Sequence, residues 1–366
     1  MAIEVVPLPI PPSADAASFS EFGREVRGVH PGILTSEQFK EIEQLLYKYS
    51  ALLFRDVDLS PEQQYALTRA FDPISDNYGH GNREMDKKSI IHAHVRGIPR
   101  VPQVQLIGHG LVRDHEGFDE IKLQHPSHKA FHGNVLSDED EANGATRFYR
   151  WHMDAALYDL SPPKVTTLYG VSAPKGPKQV CRYDDGTDDE LEVPLGTTAF
   201  VSGKTMFDLL PPELKSLAVR SRVKYAPHPY VWMATAHAMS NGLGMETEGL
   251  ETPLDKMPPW EESKVKVYPL ELLIDPLPEG ARREDALYSD GAHITDLQTV
   301  RDLVYKMQRP AIAPHDNDLV LFHNCGVMHS VVGAFKPDQV RVFHQCNLAA
   351  SDDPTGPIAA DVEKWA

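Results

Sequence analysis

Apolar positions fall at helical spacing in two early segments of this chain and gather in short runs elsewhere. Phe39, Ile42, Leu45 and Leu46 share one helix face, and Thr35-Ser36-Glu37-Gln38 just before them places a capping residue three ahead of a glutamine. Ser60-Pro61-Glu62-Gln63-Gln64 repeats that logic, with proline at the first helical position. Between these two helix starts, Ala51-Leu52-Leu53-Phe54 reads as a short buried strand. Val101, Val104, Leu106 and Ile107 predict another strand between Ile98 and Gly110.

From Arg147 onward the apolar runs are short: Phe148 to Trp151, Lys164 to Val171, Thr197 to Ser202, Val219 to Tyr225, Lys266 to Leu273, Leu319 to Phe322 and Arg341 to Leu348. Glycine, proline and acidic residues separate them, which favours an antiparallel sandwich over alternating strand and helix units. Two helices are expected among them, Met206 to Val219 and Ala292 to Gln308. The polar, histidine-rich stretch from Gly117 to Asn134 reads as a surface or lid segment, and Met233 to Trp260 lacks a steady period. No repeat or linker is visible, so residues 1–366 are expected to form a single domain with insertions near 111–145 and 226–265.

Charge narrows the partners. Asp plus Glu number 53 against 36 Lys plus Arg, a formal charge of -17, and no basic cluster offsets it. Nucleic acid and anionic membrane are therefore not expected partners. No run of eighteen apolar residues occurs, and a cytoplasmic location is the expectation. Cys181, Cys325 and Cys346 are too few and too widely spaced for a disulfide framework or a thiolate zinc site, and read as reduced.

Candidate chemistry begins at His152-Met153-Asp154, which follows an aromatic run. Residues two apart on a strand point the same way, so one imidazole and one carboxylate can meet a single ion. A second histidine is needed from elsewhere. His329, beyond the strand-like Asp318-Leu319-Val320-Leu321-Phe322, offers one, but His323 and His344 compete on residue type alone. Two histidines and one carboxylate on one face of an octahedron suit iron(II) and leave three positions open. At the end of the chain, Arg341, Phe343, Gln345 and Asn347 share one face of an extended run. A guanidinium turned inward there needs an anion, and a carboxylate matches its planar fork.

Longer stretches resemble the taurine and chlorophenoxyacetate dioxygenase (TauD/TfdA) superfamily. These are Gly23-Arg24-Glu25-Val26-Arg27-Gly28, Leu52-Leu53-Phe54-Arg55, Trp151-His152-Met153-Asp154 with Pro162-Pro163, and Gly196 to Gly203. Asn317 to Asn324 ahead of His329, with Arg341 after it, completes the order. The resemblance implies a mainly β fold with flanking helices, a distorted double-stranded β-helix of the jelly-roll, cupin-like class. It also implies Fe(II) as cofactor and 2-oxoglutarate as co-substrate. Where that family has Trp-Asp-Asn-Arg, this chain has Phe322-His323-Asn324-Cys325, so the resemblance puts the distal ligand at His329 and His323 outside the ligand set. His152, Asp154 and His329 are the implied metal ligands, and Arg341 and Thr198 the implied grip on 2-oxoglutarate.

Within the superfamily, Arg147 to Leu160 and Arg341 to Leu348 look most like the fungal xanthine dioxygenases. That likeness implies hydroxylation of xanthine at C8 to uric acid, with succinate and CO2 as co-products. The even spacing of Gln345 and Asn347 suits reading of a flat, polar heterocycle; Asp140, Glu141, Lys122 and Gln105 are further substrate-site candidates. Taurine-acting relatives carry an arginine where Gln345 stands, which disfavours a sulfonate. The alternatives are the same chemistry on another small aromatic or acidic metabolite, and a catalytically silent metal-binding scaffold.

Overall fold

The structure is a computed structural model describing residues 2–9, 21–75, 96–155, 160–186, 188–228, 231, 235–242, 245–246, 249–269, 286–287, 311–312 and 316–365. The helix expected from Ala292 to Gln308 lies outside the described residues.

Both early capping signatures are realised. Helix α1 (Ser36–Tyr49) starts at Thr35 and α2 (Pro61–Ala70) at Ser60, each with a reciprocal capping box to Gln38 and Gln63 respectively. The strands that matter for the site are β1 (Glu4–Pro7), β2 (Arg24–Arg27), β3 (Ala51–Phe54), β4 (Arg96–Ile98), β5 (Val101–His115), β6 (Phe118–Leu123), β7 (Val165–Ser172), β8 (Thr198–Ser202), β9 (Leu319–His323), β10 (Val327–Val331) and β11 (Arg341–Asn347).

A nine-stranded sheet runs in the order β1-β2-β3-β9-β7-β11-β5-β4, with β6 also paired to β5. Its pairs are antiparallel except β2 with β3. A smaller sheet joins β8 to β10 and to Ala311–Ile312. The expected double-stranded β-helix, or jelly roll, is therefore corrected: among the described residues no sheet closes or curls back on itself, and the large sheet ends at separate edges. Short alternating runs specify antiparallel pairing, but closure depends on strand tilt and stagger, which alternation does not encode.

Alternation along the strands sorts the core into layers. Leu52, Phe54, Leu319, Leu321 and Tyr169 face outward onto Ile42, Leu46 and Leu67 of α1 and α2. Leu53, Leu168, Val320, Phe322 and Phe343 face the other way and meet Phe200 and Val327 of the smaller sheet. Each such buried side chain contributes about 1.5–3 kcal/mol of transfer free energy. Beyond the smaller sheet, Ala199, Val201, Met328 and Val332 pack against Phe148, Trp151 and Met153.

Three local expectations change. Phe148 to Trp151 is not a strand; only isolated bridges, Phe148 to Val332 and His152 to His329, tie this segment to β10 and its end. The helix expected over Met206 to Val219 is two helices, α4 (Gly203–Leu209) and α5 (Pro212–Arg220). Leu210 must be extended before Pro211, and Pro212 then starts a new helix. The stretch expected as a surface or lid segment contains a strand, β6, hairpinned onto β5.

Candidate metal centre

His152 and His329 meet as a reciprocal backbone pair: the N–H of His152 donates to the carbonyl of His329 at 3.0 Å, and the N–H of His329 donates back at 2.9 Å. Directly opposed residues project to one side, so the two rings come together with centroids 4.3 Å apart. Asp154 is positioned differently. It sits in a turn, followed by Ala155 at φ 55°, and its backbone is bracketed by one side chain. Asn324 Oδ1 accepts from the Asp154 N–H at 2.9 Å, and Asn324 Nδ2 donates to the Asp154 carbonyl at 3.0 Å.

The carboxylate has two distinct ends. Oδ2 accepts from Thr166 Oγ1 at 3.0 Å and from Gln345 Nε2 at 3.0 Å. Oδ1 faces the imidazoles, 3.6 Å from His329 Nε2 and 3.9 Å from His152 Nε2. His152 Nδ1 lies 2.8 Å from the carbonyl of Arg150, which can only accept, so Nδ1 carries the proton and Nε2 presents a lone pair. Burial, with His152 adding to it against the pull of Asp154, holds His329 at about 3, so this imidazole is neutral at pH 7. The donor atoms of His152, Asp154 and His329 all lie within 4.8 Å of one another, and among the described residues they form the single such group. Two imidazoles and one carboxylate, with no thiolate, fit a hard-to-borderline divalent ion with open positions.

The competing histidines lie elsewhere. His323 packs edge-on against Tyr47 of α1, at 5.1 Å, and burial lowers it to about 4. His344 projects from the far face of β11, its Nε2 2.8 Å from His115 Nε2. All three cysteines are free; burial pushes the thiols of Cys325 and Cys346 up to about 12.

Arg341, at the start of β11, is 2% exposed. Its Nε donates to the carbonyl of Gly196 at 3.1 Å and its Nη2 to Thr198 Oγ1 at 3.1 Å. No carboxylate among the described residues pairs with it, and burial lowers its guanidinium to about 9. Along β8, Thr198 precedes Phe200 by one pleat, and Phe200 stands opposite His329, stacked on its ring at 5.8 Å. One sheet face thus joins the arginine anchor to the histidine.

Of the other candidates, Gln345 and Asn347 lie on the Arg341 face of β11, opposite Leu168 and Thr166 of β7. Gln105 is buried and directly opposite Gln345 on β5. Lys122 is exposed on β6. Asp140 and Glu141 belong to a short helix, α3 (Asp138–Ala142), which lies between β6 and β7 in the chain. Asp140 pairs with Arg182 at 3.2 Å, and Glu141 with Lys129 at 2.7 Å and His128 at 3.2 Å. Neither Asp140 nor Glu141 belongs to the metal group of His152, Asp154 and His329. Sequence reasoning missed Thr166 and the bracketing role of Asn324. A threonine at an inward position of the apolar run Lys164 to Val171 is the signal that points to the first.

The family described as taurine catabolism dioxygenase TauD, TfdA family matches residues 9–347. The chain is 47% identical over 382 residues to the alpha-ketoglutarate-dependent xanthine dioxygenase xan1 of Schizosaccharomyces pombe, covering 98% of this chain and 91% of that protein. It is 46% identical over 368 residues to the alpha-ketoglutarate-dependent xanthine dioxygenase xanA of Emericella nidulans, covering 96% and 98%. A putative alpha-ketoglutarate-dependent taurine dioxygenase from Burkholderia xenovorans shares the fold, with a TM-score of 0.53 at 18% identity over 97% of this chain and 92% of that one. With the two histidines and the aspartate converging as that family's motif implies, and the match spanning almost the whole length, the chain belongs to the TauD/TfdA family of dioxygenases.

Proposed function

We propose that this enzyme is an Fe(II)- and 2-oxoglutarate-dependent dioxygenase that hydroxylates xanthine at C8 to uric acid, one atom of O2 entering the product and the other succinate, with release of CO2. The observation that carries the reading is the buried Arg341, matched by no acid among the described residues, on the sheet face that leads to His152, Asp154 and His329. An unmatched buried guanidinium is costly, and a dicarboxylate bound there supplies the missing charge. The substrate assignment draws on the two fungal relatives, whose names state xanthine.

His152 and His329 would hold the metal through Nε2 and Asp154 through Oδ1, while Arg341 and Thr198 grip the far carboxylate of 2-oxoglutarate. Iron with 2-oxoglutarate supplies the oxygen activation and decarboxylation when bound. The protein's own work is placement. Phe200 and Phe322 wall the His329 ring and exclude water from that side. Gln345 and Asn347 offer neutral donors and acceptors, which suit the alternating carbonyl and N–H edge of a flat purine. Asp140 and Glu141 are already engaged by cations, which leaves reading of the ring to the amides of β11 and to Gln105 behind them.

We also assign residues 1–366 to one catalytic domain, because strands from both ends of the chain share one sheet. Among the described residues no helix is long and apolar enough to cross a membrane. Three free thiols suit a reducing compartment, and we assign the enzyme to the cytosol. The test supplies purified protein with Fe(II), ascorbate, 2-oxoglutarate and either xanthine or taurine, and identifies products by mass. Urate and succinate in equal amounts with xanthine are expected. Succinate release coupled to taurine but not to xanthine would reject the substrate assignment.

A further inference from the structure

We propose that Gln345 and Thr166 are positioning residues for Asp154 that fix it as a single-oxygen ligand, an inference that rests on the metal centre assigned above. Thr166 on β7 and Gln345 on β11 are diagonal neighbours on one face, since Thr166 is opposite Asn347 and Leu168 is opposite Gln345. Both donate to the same atom, Oδ2 of Asp154, at 3.0 Å. A carboxylate oxygen that accepts two such bonds has its lone pairs committed, so the ion is left Oδ1, the atom that faces both imidazoles.

The same contact orients the amide. A carboxylate is acceptor-only, so the group Gln345 turns toward it is the NH2, and its carbonyl Oε1 points away. Gln345 therefore presents an acceptor to whatever lies beside the metal and selects for a ring N–H there. Thr166 is fully buried and its hydroxyl donates to Asp154, so it separates the two roles.

The experiment titrates Co(II) alone, with neither 2-oxoglutarate nor substrate, into the parent, Gln345→Ala, Thr166→Val and Thr166→Ser. Affinity is read by calorimetry and ligand geometry from the visible Co(II) absorption, with far-UV circular dichroism to confirm that each variant is folded. Co(II) binding about 10- to 100-fold weaker in Gln345→Ala and Thr166→Val, with a shared change in the absorption envelope, is expected. Thr166→Ser keeps the hydroxyl and should keep parent-like binding. Parent-like affinity and spectrum in Gln345→Ala overturn the inference, even where urate formation is lost, because Gln345 then serves the substrate alone. Failure of the parent to bind Co(II), or undiminished binding by Asp154→Ala, removes the metal centre itself and this inference with it.

Discussion

Arg341 donates to the hydroxyl of Thr198 at 3.1 Å across two sheets, and the two residues stand 143 apart in the chain. The contact joins the start of β11 to β8 and orients a guanidinium that has no acid beside it among the described residues. Stability and function are opposed at this point: the buried charge weakens the fold and strengthens the grip on an anion.

Arg341→Met should therefore separate the two. Methionine fills the volume without the charge, so the melting temperature of the ligand-free variant should equal or exceed the parent's. Affinity for 2-oxoglutarate should fall at least about 100-fold, the loss of about 3 kcal/mol expected for a paired, charge-assisted contact. Calorimetric titration of the anaerobic metal complex measures the second quantity and differential scanning calorimetry the first. Parent-like 2-oxoglutarate binding would place the co-substrate elsewhere.

Asn324 holds both backbone groups of Asp154. Asn324→Ala leaves a buried N–H and a buried C=O without this partner, at about 1–3 kcal/mol for each. The turn at Ala155, in left-handed conformation, then has less to hold it, and metal affinity should fall together with stability. Urea unfolding of the apo-protein and Co(II) titration read the two losses. A drop in metal affinity with unchanged stability would show that the bracket does not hold the turn.

Sequence made some of this legible and left the rest hidden, for identifiable reasons. The capping boxes at Thr35 and Ser60 are local chemistry and were readable in four residues each. The inward face of β11 followed from period-two spacing. His152 and Asp154 converge, but not by strand alternation: His152 is placed by its pairing with His329, and Asp154 by a turn clamped from Asn324, 170 residues away. Such a contact has no local signature. Likewise nothing in the run Arg341 to Leu348 reveals that Gln345 spends its NH2 group on Asp154, since the partner lies 191 residues away. Choice of His329 over His323 and His344 needed the family resemblance, because all three follow or belong to similar strand-like runs.

Buried histidines make acid the expected denaturing condition. Burial lowers His132 to about 4, His323 to about 4 and His344 to about 3, against 6.5 for the exposed ring. Between those values the unfolded chain binds more protons than the folded one, so these groups leave stability intact above about pH 6.5 and erode it as pH falls toward 3–4. Each contributes a slope of up to about 1.4 kcal/mol per pH unit inside that window. Urea midpoints measured from pH 7.5 to 5 should fall with pH, and His323→Phe, which keeps an aromatic ring against Tyr47, should flatten the slope. An unchanged slope in that variant would mean that His323 titrates alike in the folded and unfolded chain, so that burial does not lower it.

Gly108 offers the last test, because it supports Arg341 from the neighbouring strand without touching any ligand group itself. It pairs with Val342 across β5 and β11 at φ 143°, and a Cβ built there would lie 1.9 Å from the carbonyl oxygen of Arg341. No rotamer relieves a clash between two backbones, so Gly108→Ala must push β11 away from β5. The displacement begins at Arg341 and runs along the strand toward Gln345, so co-substrate affinity should suffer before the metal ligands on β10 and the His152 segment do. Destabilisation of more than about 2 kcal/mol is expected, since a backbone clash at a strained position is among the mechanisms that give large losses. Gly117 is the control, since it also has positive φ but meets nothing nearer than 3.6 Å, so Gly117→Ala carries the conformational strain without the clash. Melting temperatures and 2-oxoglutarate titrations of both variants decide the matter. If Gly117→Ala loses as much as Gly108→Ala in both measurements, the close approach to Arg341 is not what the glycine at 108 provides.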